Sequence, residues 1–73
     1  MTRYEFMSHM ERLAHACLIF SQYETKMTFV AGFMEVIVHK DDSLEDTDFD
    51  KILALGWLSE PAENGHQKYV LPS

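Results

Sequence analysis

The chain has 73 residues, 47% hydrophobic and 25% charged, with twelve acids against six bases for a net charge of −6. That size allows one domain over residues 1–73, and that composition is globular rather than disordered. The single cysteine, Cys17, excludes an intramolecular disulfide and a multi-cysteine zinc site.

Residues 4–22 carry the clearest helical pattern, with Thr2 as the N-cap. Phe6, Met7, Met10, Leu13, Ala14, Cys17, Leu18 and Phe20 fall within an arc of roughly 160°. Glu5, Ser8, Glu11, Arg12, His15 and Gln22 take the other side. Ile19 and Tyr23 also fall on the polar side, where core packing does not explain them.

Residues 26–39 send two signals. Their residue types favour strand, above all the β-branched run Val36-Ile37-Val38. Their spacing favours helix, because Phe29, Val30, Phe33, Met34, Ile37 and Val38 share one helical face. The β-branched run and Gly32 decide for strand, with Gly32 marking a bulge, a bend or a tight turn between two short strands.

Lys40 to Glu45 reads as an acidic loop. Asp46 or Thr47 caps a short helix to Leu55, with Phe49, Ile52, Leu53 and Leu55 turned inward, and Gly56 supplies the left-handed stop. Trp57 and Leu58 open an extended segment. Asn64-Gly65 is a strong hairpin signal, since both central residues of a type I′ turn need positive φ. Gln67 to Leu71 returns, and Pro61 consigns the outgoing arm to an edge or keeps it short. The expected fold is therefore α+β: helix, strand or bent strand pair, short helix, hairpin. The alternative is a winged-helix layout, three helices plus a hairpin, which needs residues 26–39 helical.

The charge is local. Asp41, Asp42, Glu45, Asp46, Asp48 and Asp50 crowd into residues 41–50 with no base among them, whereas six acids and six bases cancel elsewhere. Such a patch repels nucleic-acid phosphates and steers toward basic surfaces; the plainer reading is a solvated loop and a helix N-terminus that favours carboxylates.

Catalytic and metal signals are weak. His9 and His15 stand about 120° apart on a helix and cannot chelate one ion from the same face. Glu11 and His15 have i, i+4 spacing, the ordinary spacing of a surface contact. His39 and His66 sit near an element end and a hairpin tip. The run Asp46-x-Asp48-x-Asp50 begins like a calcium loop, but Lys51 and Trp57 stand where that loop needs Gly and Glu. Cys17 reads as an inert core thiol, and phosphate-loop, nucleophile-elbow and metalloprotease motifs are missing. No metal, no cofactor and no enzymatic activity are expected.

Met7, Met10 and Met34 read as core, while Tyr4, Ile19 and Tyr23 are the contact candidates beside the six acids. The favoured function is a non-catalytic protein-binding module, an inhibitor or regulator that engages a basic, nucleic-acid-binding type of surface on a partner. Small acidic domains of this kind are common among phage and mobile-element inhibitors, an analogy from size and composition. A winged-helix DNA binder is the alternative, and its would-be recognition helix is acidic. For a domain this small, burial and chain ordering nearly balance, so a homodimeric structural role is the third reading. The longest apolar runs, 16–20 and 29–34, are too short to cross a bilayer. Without a recognisable signal peptide, a soluble cytoplasmic protein with no membrane partner is expected.

Overall fold

The computed structural model describes residues 7–30 and 32–72. Helix α1 spans His9–Phe20, followed by strands β1 (Thr25–Val30) and β2 (Phe33–Val38), helix α2 (Asp46–Ala54), and strands β3 (Leu58–Pro61) and β4 (Gln67–Leu71). The strands form one antiparallel sheet in the order β1-β2-β4-β3, so β4 is inserted between two strands that run the same way. The fold is α+β, in the element order read from the sequence. A Cα radius of gyration of 11.7 Å agrees with ~11 Å for a compact chain of this length.

Residues 26–39 form a hairpin, so the winged-helix layout with three helices is not the fold. Val30 pairs with Phe33, and Gly32, at φ 86°, makes the tight turn between them. Helical spacing loses here because β-branched residues pack better on a pleated surface.

Helix α1 starts later than the periodicity implies. Ser8 is its N-cap and forms a capping box with Glu11, each side chain bonding the other's backbone N–H. The proposed cap Thr2, the apolar Phe6 and the contact candidate Tyr4 lie outside the described residues. Ser21 caps the far end. Helix α2 follows N-cap Glu45 rather than Asp46 or Thr47, and Glu45 makes no side-chain cap bond.

At its C-terminus, Gly56 N–H bonds Leu53 O and Trp57 N–H bonds Ile52 O, the double bond of a Schellman stop. Gly56 holds φ 92°, and a Cβ there would stand 2.6 Å from Arg12 Nη1. Gly56→Ala is therefore expected to cost about 1–2 kcal/mol, lowering Tm by at least ~4 °C in a thermal melt. The β3–β4 connection is wider than a two-residue turn. Asn64 (φ 59°) and Gly65 (φ 81°) do take positive φ, but inside a 3-10 turn at Glu63–Gly65.

Both helices cover one face of the sheet. The core is Ala16, Phe20, Val36, Val38, Ile52, Leu55, Trp57, Tyr69 and Leu71, with Met7, Leu13, Ile19, Met34, Leu44 and Phe49 packed against it. Phe20 is its centre: its ring meets Trp57 edge-on at 5.3 Å and Tyr69 at 5.5 Å. Trp57 Nε1 is buried without a hydrogen-bond partner among the described residues, at a cost of about 1–3 kcal/mol.

The core uses only part of the apolar arc of α1. Ile19, expected on the polar side, packs inward, whereas Met10 and Leu18 are exposed, Ala14 also faces solvent and Cys17 is half-buried. Helix α1 packs on α2 and, through Phe20 against Tyr69, on the sheet, and this centres its buried face on Ala16 and Phe20 with Arg12 and Ile19 half-buried beside them. Leu53, expected inward, is 40% exposed on the outer face of α2. No described helix is long and apolar enough to cross a membrane.

Candidate protein-binding surface

The acidic loop and the start of α2 are held by bonds from three directions. Tyr23, just before β1, donates its hydroxyl to Asp48 Oδ2 at 2.5 Å and accepts the Glu45 N–H at 3.2 Å. Asp42 Oδ2 accepts the Glu24 N–H at 2.6 Å. Lys40 N–H donates to His66 Nδ1 at 2.9 Å, which ties the loop to the β3–β4 connection. Beside that bond the His39 and His66 rings lie 4.8 Å apart. His39 Nδ1 accepts the Asp41 N–H and lies 3.8 Å from Glu24 and 3.6 Å from Asp41 carboxylate oxygens.

These anchors divide the six acids. Asp42 and Asp48 are half-buried and spend their carboxylates on the fold. Asp41, Glu45, Asp46 and Asp50 are exposed. Among the described residues, Glu45, Asp46 and Asp50 have no cation within ion-pair distance, and Asp41 has only His39. Asp46 and Asp50 are one turn apart on α2, and Leu53 continues the same outward stripe. Lys51, also exposed, points well round the helix from that stripe.

Tyr23 is a structural residue in this arrangement, and Ile19 belongs to the core. Both are half-buried, so less of each is open to a partner than their position on the helical wheel suggested. The hydrogen bond to Asp48 is the main cause that pushes the Tyr23 phenol above its ordinary pKa, against the Glu45 N–H, which lowers it. Burial pushes Tyr69 in the same direction.

Both phenols are thus held neutral by folding. Their stabilisation is present below pH ~10 and is lost as pH rises through the folded-state values. Tyr23→Phe is expected to cost about 1 kcal/mol at neutral pH, since the bonds it deletes are partly solvated. In chemical denaturation at increasing pH, it should also flatten the alkaline loss of stability.

Among the described residues no group of three or more His, Cys, Asp or Glu is placed to hold a metal ion. An open groove of about 600 Å³ lies on the uncovered sheet face, lined by Glu35, Ile37, Glu63, His66 and Lys68 among others. Its charges are mixed, with Lys68 3.4 Å from Glu60. Among the described residues, the 41–50 segment exposes carboxylates with no cation of its own. Comparison with protein-family models, curated proteins and solved structures finds no match.

Proposed function

We propose that the chain is a non-catalytic module that binds a basic surface of a partner protein through Asp41, Glu45, Asp46 and Asp50, with Leu53 as an apolar contact beside them. The observation that carries this reading is the division of labour among the six acids. Two are spent in hydrogen bonds that fasten the segment, and four are left facing water on that fastened backbone. Held in place before contact, the four lose little conformational entropy on binding, and like-signed carboxylates attract a cationic patch at long range. Spaced carboxylates also imitate the phosphates of a nucleic acid, so the basic groove of a nucleic-acid-binding protein is the class of partner proposed. The role is inhibition or regulation of that partner, of the kind carried by phages and other mobile elements, in the cytoplasm.

The test is affinity capture from native lysate with the wild type and with Asp41→Asn/Glu45→Gln/Asp46→Asn/Asp50→Asn. A partner held by the wild type at low salt and missed by the variant supports the reading. A partner held equally by both overturns it.

A further inference from the structure

The two edges of the sheet differ. His39 N–H donates to Glu24 O directly opposite it, which fixes the phase of the β1–β2 ladder. Residues 26, 28 and 30 then turn their backbone groups toward β2, and Thr25, Met27 and Phe29 turn theirs outward. At the other edge, Ala62 N–H donates to His66 O, so Ser59 and Pro61 are the outward residues of β3. Pro61 has no N–H, and β3 is blunted as natural edges are. Strand β1, with six residues and no proline, keeps every outward donor.

The side chains beside that edge are apolar. Met27 and Phe29 lie on the helix-covered side of the sheet, opposite Val36 and Met34, yet are 42% and 65% exposed. Helix α1 turns Arg12 toward the Gly56 turn, so Met10, 71% exposed, lies on its opposite flank, while Leu18 stands on the side away from buried Ala16.

We propose that β1 pairs with β1 of a second copy of this chain, antiparallel and centred on Met27, to join two four-stranded sheets into one. In that register Thr25 faces Phe29 of the second copy, Met27 faces Met27, and all three outward residues complete their ladder. The same patch serves both copies, as a two-fold interface requires. Lys26 meets Thr28 rather than another lysine. The acidic loop is tied to the Glu24 end of β1, so antiparallel pairing places the two loops at opposite ends. That separation is about 20 Å at ~3.4 Å per residue, beyond the ~8 Å screening length.

At ~200 Å² for a fully exposed large side chain, Met10, Met27 and Phe29 offer about 350 Å² per partner beside the strand edge, under the ~800 Å² of a standard interface, so the dimer is a weak one that forms as concentration rises. This surface is separate from the acidic one, so each reading stands or falls alone.

Sedimentation of the full chain over about a hundredfold range of concentration tests the proposal. The expected result is a mass rising from one chain to two, with Met27→Pro remaining monomeric and keeping the wild-type far-UV spectrum. In a Cys17→Ser background, Met27→Cys is expected to form a disulfide-linked dimer on mild oxidation, because facing Cα atoms lie about 5.5 Å apart, within disulfide reach. Lys26→Cys, offset from its copy, is not expected to cross-link. A single-chain mass at every concentration overturns the proposal, whether β1 is then free or covered by another strand. Equal cross-linking of both cysteine variants overturns the register.

Discussion

Phe20→Ala is expected to lower stability by about 3–5 kcal/mol and Tm by at least ~12 °C in a thermal melt. Phe20 is fully buried and joins the two halves of the core, touching Trp57 before β3 and Tyr69 on β4 from the last turn of α1. Its removal takes away area that no neighbour can refill, since Val36, Val38 and Leu71 are held by the sheet. A domain of this size has about 4–11 kcal/mol in total, so the variant stands at the margin of folding. Phe49→Ala, half-buried at the same Tyr69 ring, should cost less. If Phe20→Ala moved Tm by under ~5 °C, the core assignment would be wrong.

The four-carboxamide variant at positions 41, 45, 46 and 50 is expected to bind the partner about 30- to 1,000-fold more weakly at physiological salt, from four modest charge contacts acting together. Its Tm should change little, because relief of like-charge repulsion offsets the dipole stabilisation that Glu45 and Asp46 give the start of α2. Changing Asp42 or Asp48 is a different experiment. Asp48→Asn weakens the bond that Tyr23 donates, and Asp42→Asn weakens the one from Glu24 N–H, so either destabilises before it tests binding. A variant of all six acids would confuse the two effects. Calorimetric titration at matched fold stability separates them.

The parts legible in the sequence are those written in local chemistry. Gly56 stops α2, Gly32 turns the first hairpin, Pro61 marks an edge strand, and the run at residues 36–38 declares a strand although its spacing fits a helix. The buried flank of α1 was not legible, because the apolar arc is wider than one packing surface and the position of α2 chooses which part is used. Ile19 enters the core and Met10 leaves it for that reason. The acidic stretch was legible as a stretch and not as two classes of residue. The partner of Asp48 lies 25 positions away at Tyr23, and that of Asp42 lies 18 away at Glu24, separations that leave no local signal. The His39–His66 contact, 4.8 Å between rings, joins two loops and is equally invisible to spacing.

The proposed binding is carried by charge. The most direct measurement is the dissociation constant of the captured partner for the wild-type chain, taken from about 50 to about 500 mM salt. Weakening of at least ~10-fold across that range, flattened in the four-carboxamide variant, is the result predicted. An affinity indifferent to salt and equal in both proteins would contradict charge-carried binding and move the interface away from the acidic segment.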